Sequence, residues 1–278
     1  MYKARIETDS GKTVNFSFEN GILFDIAPLS GVDVSLSTSQ GFRQIGESVE
    51  GQGVGGITRT ISGKVLNSKI QQQMLKDLPV FTSGKLYFND SHYCEIVVKK
   101  TPMFSLKNGA TRFSMQVFCI DPFWKQKNTL YYSLGGLKKL FTLPTTYNTH
   151  KFGERAGAQF INCHNPGDVK AQLKLTFSTT TQAVNYGVIN QKTLEVSRFN
   201  DTLEPGEIVS LWQEKGRVFA TKESSGSTID FLGFLSDDST LFNVLPGDNI
   251  LKIVADTGEN DIIASAEFTP AYMGVIAS

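Results

Sequence analysis

Apolar and polar residues alternate along several short segments of this chain, and that alternation restricts the fold more than any other feature. In VKAQLKLTF, residues 169–177, every second residue from Val169 is apolar and the residues between them are polar or charged. RFSMQVFCI, residues 112–120, has the same period. A period of two puts one set of side chains on each face of a strand, with one face dry and the other wet. The sequence therefore predicts a mainly β protein.

The first half of the chain predicts short strands with one helix. ARIE and TVNFSF flank Asp9-Ser10-Gly11, whose residue types favour a hairpin turn. Residues 68–78 have a helical period, with Ser68 available as the N-cap and Pro79 ending the pattern. The apolar stripe of this helix consists of Ile70, Met74, Leu75 and Leu78. We predict a β-rich domain over residues 1–125, with the helix covering one face of a sheet.

A strand ends at Asp121-Pro122-Phe123-Trp124. Pro122 has no N–H for a strand ladder and restricts the residue before it, so the strand stops there. Both aromatic residues of the motif can bury a large apolar area, and we expect them to pack at the domain edge. Residues 126–157 have weak periodicity and many turn residues, which predicts a connector with one strand or hairpin. Residues 158–278 are the second predicted domain.

The second half contains three similar turns, each followed by a β-branched strand. They are Asn165-Pro166-Gly167-Asp168, Glu204-Pro205-Gly206-Glu207 and Leu245-Pro246-Gly247-Asp248. Proline presets the first central φ of a turn, and glycine accepts a positive φ at the second. Their spacing resembles that of propeller blades, but a propeller needs more than three repeats. An antiparallel sandwich that reuses one turn type is the favoured interpretation.

Gly51, Gly53 and Gly56 spell G-x-G-x-x-G, the fingerprint of dinucleotide-binding loops. That site needs a strand before the glycines and a helix after them, because the helix N-terminus holds the pyrophosphate. Here residues 57–65 alternate with a period of two, which predicts a strand instead. A flexible Gly-rich loop that leads into a strand is favoured.

Composition and motifs give no sign of a reaction centre. The 27 acidic and 27 basic residues balance, so net charge implies no field that collects nucleic acid or anionic lipid. Three single cysteines predict buried small hydrophobes, because neither a disulfide framework nor a zinc site fits their spacing. No nucleophile motif, P-loop or histidine pair with metal-ligand spacing is present. We expect no enzyme activity, no metal and no cofactor.

The chain also gives no sign of a membrane segment. Its N-terminus carries charges where a signal peptide needs an apolar core, and no apolar run is long enough to cross a bilayer. We expect synthesis in a cytoplasm.

Several landmarks resemble one known family. FSMQVFCIDPFW, residues 113–124, with the preceding HYCEIVVKK, resembles the end of the N-terminal domain of distal tail proteins from long-tailed siphophages. INCHNPGD, FNVLPGDNIL and FTPAYMGV resemble strand-and-turn landmarks of the C-terminal domain in that family. The resemblance spans nearly the whole chain. The long connector after Trp124 departs from many relatives, and this affects the position of the domain boundary.

The resemblance implies a structural hub without catalytic residues. In that family the N-terminal domain forms a hexameric ring at the end of the tail tube, and a galectin-like β-sandwich projects outward. Implied partners are the tail tube protein, the tail-associated lysin or baseplate hub, and the tape measure protein. Receptor-binding proteins attach at the periphery, and DNA passes through the lumen without specific binding. The implied location is the virion tail tip, after synthesis in the host bacterial cytoplasm, with no membrane contact.

A ring of identical copies needs heterologous contacts, in which one patch meets a different patch of the next copy. We interpret residues 39–56 as an extended arm or loop that leans on a neighbouring subunit. The glycines of this candidate inter-subunit loop are Gly46, Gly51, Gly53, Gly55 and Gly56. Arg59 shares parity with Ile57 and Ile61, so it either snorkels at a strand end or pairs across an interface. Snorkelling is the favoured interpretation.

The alternative function is a carbohydrate-binding module that attaches the tail to cell-wall sugars. Sugar sites expose flat aromatic rings, and the candidates are Tyr186, Trp212 and Phe219. Trp212 shares parity with Ser210 and Ile208, so the pattern leaves core and surface positions open.

Overall fold

The computed structural model divides the chain into two compact units. It describes residues 2–107, 109–135, 137–138, 154–155, 160–214 and 216–276. Unit 1 comprises residues 1–128 and 271–278, and unit 2 comprises residues 129–270. Each unit has its own hydrophobic core. Both are built mainly from antiparallel strands, which confirms the predicted β class.

Unit 1 contains one helix and a large antiparallel sheet. Its elements are β1 Ala4–Thr8, β2 Thr13–Phe16, β3 Ile22–Ala27, β4 Val34–Ser39, β5 Ser48–Val54, β6 Ile57–Val65, α1 Ser68–Asp77, β7 Ser83–Phe88, β8 His92–Lys107, β9 Ala110–Cys119 and β10 Trp124–Gln126. The main path through the sheet is β2-β1-β7-β8-β9-β6-β3. The predicted hairpin between β1 and β2 is confirmed, and Gly11 supplies the positive φ of its turn.

Helix α1 covers the core of unit 1 much as the sequence predicts. Met74 and Leu78 are fully buried in that core. Leu75 is 49% exposed, so its predicted burial is wrong. One step along a helix turns the side chain by about 100°, and the buried stripe here is too narrow to include it. The predicted cap is also wrong by one residue, because Asn67 Oδ1 accepts from Lys69 N at 2.8 Å.

Unit 2 is a sandwich of two antiparallel sheets. Its strands are β11 Leu130–Leu134, β12 Leu137–Lys138, β13 Glu154–Arg155, β14 Phe160–Asn165, β15 Ala171–Thr179, β16 Ala183–Val184, β17 Gly187–Asn190, β18 Val196–Arg198, β19 Thr202–Leu203, β20 Ile208–Glu214, β21 Arg217–Ser224, β22 Ser227–Asp230, β23 Asn243–Val244, β24 Gly247–Val254 and β25 Ile262–Phe268. Two 3₁₀ turns lie at Leu232–Phe234 and Glu259–Asp261.

The two main sheets of unit 2 share one core. One has the order β11-β25-β15-β20-β21-β22, with β23 also pairing with β15, and the other has the order β14-β24-β17-β18. Leu173, Leu175 and Phe177 from the first sheet belong to the same buried cluster as Val188 and Leu251 from the second. The predicted sandwich is therefore confirmed, and the propeller interpretation is wrong.

Buried asparagines hold two of the predicted turns in unit 2. Asn249 is fully buried, and its Nδ2 donates to Leu245 O at 2.7 Å and to Gly247 O at 3.0 Å. Its Oδ1 accepts from Leu245 N at 3.0 Å. In the other turn, Asn165 Oδ1 accepts from Gly167 N at 2.9 Å. Each amide thus satisfies backbone groups that the turn leaves without a ladder partner.

The chain returns to unit 1 after unit 2. Strand β26, Ala271–Tyr272, pairs with β10, and Val275 N donates to Leu29 O at 3.2 Å. This segment belongs to the second predicted domain, residues 158–278, whereas the structure places it with unit 1. Residues 139–153 of the predicted connector lie outside the described residues.

Candidate functional site: an apolar hairpin arm and its buried root

Strands β4 and β5 form a hairpin apart from the large sheet of unit 1. Among the described residues they pair only with each other, through a register that shifts once between Ser37 and Thr38. We call residues 34–54 the arm. Its exposed apolar side chains are Val34, Leu36, Phe42, Ile45, Val49 and Val54. An isolated two-stranded hairpin is marginal in water, and exposed apolar side chains that cluster usually mark a contact surface.

Two of the candidate glycines are required by the local geometry. Gly46 has a φ of 89° between β4 and β5. A Cβ on Gly56 would lie 2.6 Å from Cys119 O, so only glycine fits beside β9. Gly51 and Gly53 lie within β5, and β6 follows, which confirms the predicted strand after the G-x-G-x-x-G sequence. Gly55 lies between the arm and β6, and a Cβ there would meet no atom within 4 Å. The inter-subunit role of these glycines stays a prediction.

Arg59 is fully buried, so its predicted snorkelling is wrong. Its guanidinium donates to Pro28 O through Nη1 and to Pro122 O through Nη2, the latter at 2.8 Å. The Arg59 Cζ also lies 4.6 Å from the ring centroid of Trp124. Within the described residues no carboxylate forms an ion pair with it. The cation is held instead by carbonyl dipoles and an aromatic face, both of which attract positive charge.

Trp124 completes this cluster. It is fully buried, and its Nε1 donates to Leu29 O at 2.9 Å. Its ring centroid lies 5.9 Å from that of Phe88 in the core of unit 1. We call Pro28, Leu29, Arg59, Pro122 and Trp124 the root. The root joins the two ends of the arm, since Leu29 precedes β4 and Arg59 lies in the strand that follows β5.

The other residues of the IDPFW motif surround the root. Pro122 is buried and Phe123 is half-buried. Asp121 Oδ1 accepts from Phe123 N at 3.1 Å, and Asp121 Oδ2 lies 3.2 Å from Lys125 Nζ. The sequence points to Arg59 and Trp124 separately, and the structure brings them together. Pro28 and Leu29 could not be predicted, because they contribute backbone carbonyls that no side-chain pattern signals.

Two thiols lie beside the Arg59 guanidinium. Cys94 Sγ and Cys119 Sγ are 3.4 Å apart on neighbouring strands, and both cysteines are buried. Burial raises the pKa of the Cys94 thiol well above its usual range. Cys163 is also buried and free, so the predicted burial of all three cysteines is confirmed.

The landmark turn Pro246-Gly247-Asp248 lies in unit 2. Gly247 has a φ of 82°, as the turn requires. Asp248 is exposed, and its Oδ1 lies 2.8 Å from His164 Nδ1. Hydrogen bonds from His164 and Asn162 hold the pKa of Asp248 below its usual value. The arrangement is that of a hydrogen-bonded surface turn.

The three aromatic candidates for sugar contact differ in exposure. Tyr186 is fully buried in the core of unit 2, so it cannot meet a sugar ring. Trp212 is half-buried and Phe219 is 39% exposed. Their ring centroids lie 5.5 Å apart at an interplanar angle of 19°. This stacked pair is what remains of the predicted sugar site.

The part of the chain that the structure describes holds no group of three histidine, cysteine or acidic residues that could bind a metal ion. None of its helices is both long enough and apolar enough to span a bilayer.

Comparisons with known proteins give a likeness in fold. The chain is similar to the Dit protein (gp 19.1) of phage SPP1, described as a paradigm of the hub adsorption apparatus in phages that infect Gram-positive bacteria. That match has a TM-score of 0.68 at 10% sequence identity and covers 98% of this chain and 99% of the other. A chain of the phage p2 baseplate, in its activated conformation with strontium, matches with a TM-score of 0.49 at 11% identity, covering 99% and 100%. No protein-family model and no curated protein matches. The fold implied by the family resemblance is thus confirmed.

Proposed function

We propose that this protein is the distal tail protein of a long-tailed phage, located at the virion tail tip. Six copies form a ring through unit 1, and unit 2 is the outward β-sandwich. The observation that carries the proposal is the fold likeness to SPP1 Dit, because it covers nearly the full length of both chains. The role is structural, and no catalytic step is part of it.

The proposed ring joins the tail tube protein on one side to the tail-associated lysin or baseplate hub on the other. Tape measure protein lies in or near the lumen, receptor-binding proteins attach at the periphery, and DNA passes without specific binding. The equal numbers of acidic and basic residues are compatible with a conduit. A strongly basic lumen would bind the phosphate backbone by counterion release and slow its passage.

The arm is the proposed contact between copies. Its apolar side chains are exposed in the single chain, and their burial against a neighbour is favourable at roughly 25 cal/mol per Å² of apolar area. The root lies five residues before and five residues after the arm, so it fixes the place where the arm leaves unit 1.

Native mass spectrometry and negative-stain microscopy of the purified chain test the ring. We expect six-fold particles with a central hole. A chain that stays monomeric at all concentrations would overturn the proposal.

A matched pair of variants tests the role of the arm. Phe42→Ser with Ile45→Ser removes the two most exposed apolar side chains of the arm and should weaken assembly about tenfold or more. Phe160→Ser with Ile250→Ser removes exposed apolar side chains from unit 2 and should leave assembly unchanged. Rings of wild-type stability from the arm variant would show that the arm is not the contact.

Sugar binding is the second candidate function, and the stacked Trp212 and Phe219 pair supports it. Exposed aromatic faces pack against the apolar faces of sugar rings. A glycan array probed with the full chain tests it, with Trp212→Ala as the comparison. Binding that is lost in the variant would establish a sugar site. An array without signal would rule out sugar binding and leave the structural hub as the single proposed function.

A further inference from the structure

A group of exposed cations lies on unit 1, centred on the long hairpin of β8 and β9. Its members are Lys64, Lys99, Lys100, Lys107 and Arg112, which we call the basic ridge. Between Glu95 and Asp121 the sequence contains no acidic residue. Strand register puts Lys64 directly opposite Arg112, and Lys100 opposite Gln116, on the face of the sheet that points away from the core.

The basic ridge has no ionic partner within the described residues. No carboxylate lies within ion-pair distance of any of its five cations there, and the Lys99 Nζ donates to a hydroxyl, Thr58 Oγ1, at 3.3 Å. Like charges directly opposite each other on neighbouring strands destabilise a sheet. Lys64 and Arg112 are such a pair. An anionic partner from outside the chain would relieve this repulsion.

The arm carries the opposite charge. Asp33, Glu47 and Glu50 lie on or beside it with Arg43 as the single cation, and all four are exposed. Apolar side chains accompany the charges on both surfaces. Met103, opposite Ser114 on the ridge face of the β8–β9 hairpin, is 55% exposed, and the arm has its own apolar set. The two surfaces are therefore complementary in charge and alike in apolar character.

The arm and the Lys64–Arg112 end of the basic ridge lie at opposite ends of one strand, whereas Lys99 contacts Thr58 near the arm. The arm enters β6 at Ile57, whereas Lys64 and Arg112 pair beside its other end at Val65. The eight steps from Ile57 to Val65, at about 3.3 Å each, separate the two ends by roughly 26 Å. A chain with one contact surface at each end of a rigid strand is suited to head-to-tail contact, which closes into a ring when the rotation allows it.

We propose that the arm of one copy binds the basic ridge of the next copy. This inference rests on the ring of the proposed function and names the receiving surface. Duplex DNA is the other polyanion that the basic ridge could attract. The phosphate backbone would leave Met103 in water and would leave the arm uncovered, so a second copy of this chain is the better occupant.

Charge reversal on each surface, alone and mixed, tests the pairing. Variant A carries Glu47→Lys and Glu50→Lys in the arm, and variant B carries Lys107→Glu and Arg112→Glu in the ridge. Each alone should assemble about tenfold or more weakly than wild type, because like charges then face each other. An equimolar mixture should regain rings with alternating A and B, because each arm then meets a ridge of opposite charge. Native mass spectrometry counts the two species in each ring.

The controls separate this inference from the ring itself. Lys69→Glu with Lys170→Glu makes the same change in net charge as variant B at exposed positions outside the ridge, and should assemble like wild type. Far-UV circular dichroism spectra of A and B that match wild type exclude misfolding, whereas melting temperatures also depend on assembly. If variants A and B form rings as stable as those of wild type, the arm–ridge pairing is overturned but the ring is not. If wild type itself is monomeric, the ring is overturned. Loss of rings in A or in B without rescue in the mixture also overturns the pairing. Variant B that keeps rings but loses retention of duplex DNA would reassign the ridge to phosphate.

Discussion

The two units bury their polar groups in different ways. In unit 1 the Arg59 guanidinium donates to Pro28 O and Pro122 O and lies over the Trp124 ring. These contacts join three separate parts of the chain, those around Pro28, Arg59 and Pro122. In unit 2 the buried groups are mostly neutral. Asn249 and Asn165 each bond backbone groups that include their own turn, two to four residues away.

This difference shows where each unit is vulnerable. A buried cation without a carboxylate partner depends on every dipole around it, because desolvation of the charge is costly. Loss of one member of the root therefore affects three segments at once. Each buried amide bonds its own turn and one distant carbonyl, Val244 O for Asn165 and Cys163 O for Asn249, so it joins two segments. We expect substitutions in the root to cost more stability than substitutions of the turn amides.

The largest effect is expected at Trp124. Trp124→Ala removes a fully buried indole and leaves Leu29 O without its donor, at a cost of about 4 kcal/mol in the free energy of unfolding. Urea unfolding followed by circular dichroism measures it. Trp212→Ala, at a half-buried position in unit 2, is the matched control and should cost clearly less. If the two substitutions lower the free energy of unfolding equally, the root of unit 1 is no more sensitive to substitution than unit 2.

The next effect is expected at Arg59. Arg59→Met keeps much of the side-chain volume but leaves the carbonyls of Pro28 and Pro122 unpaired, which should cost about 3 kcal/mol. Arg59→Lys keeps the charge but lacks the planar guanidinium that reaches two acceptors. Its free energy of unfolding should therefore lie between those of wild type and Arg59→Met. The same unfolding measurement applies. A Met variant as stable as wild type would mean that burying the charge costs as much as its hydrogen bonds contribute.

A smaller effect is expected in unit 2. Asn249→Ala leaves Leu245 N unsatisfied and should cost about 2 kcal/mol. The exposed Asn200 provides the comparison, and Asn200→Ala should change the free energy of unfolding by less than about 0.5 kcal/mol. If Asn249→Ala lowers the free energy of unfolding more than Arg59→Met does, the expectation that the root is the more sensitive site is wrong.

The smallest effect is expected from a half-buried ion triad in unit 2. Lys222 Nζ lies 2.7 Å from Glu207 Oε2 and 2.9 Å from Asp201 Oδ2. Burial alone would raise the pKa of Glu207, but hydrogen bonds from Lys222 and from Glu204 N hold that pKa below its usual value. A carboxyl with a lowered pKa stabilises the fold above its unfolded pKa, about 4.3, and loses this contribution as the pH falls through its folded pKa.

Glu207→Gln tests the triad. Wild type should melt above the variant at pH 7, and the difference should shrink as the pH falls below about 4. Melting temperatures across that range measure it. A difference that does not change with pH would show that the carboxylate charge is not responsible.

The sequence predicted strands and faces well where burial follows the period of two. In β15 the predicted inward residues Leu173, Leu175 and Phe177 are all fully or nearly fully buried. The arm shows what alternation leaves out. Val34 and Leu36 also alternate with polar residues, yet both are more than half exposed. Alternation assigns side chains to a face, but it does not say what covers that face.

The root could be predicted only in part. Parity correctly placed Arg59 on the same side as Ile61, which is fully buried. Its burial could not be predicted, because its acceptors are carbonyls 31 and 63 residues away in the chain. Trp124 was predicted from its size and from the proline before it. Its bond to Leu29 O depends on tertiary structure that no local pattern encodes.

The return of the chain to unit 1 sets an order on its maturation. A ribosome makes residues 271–276 only after the whole of unit 2, yet these residues pair with β10 and bond Leu29 beside the arm. A nascent chain that stops within unit 2 therefore lacks β26 and the bond to Leu29 O, so the sheet of unit 1 is completed only after unit 2 has been translated.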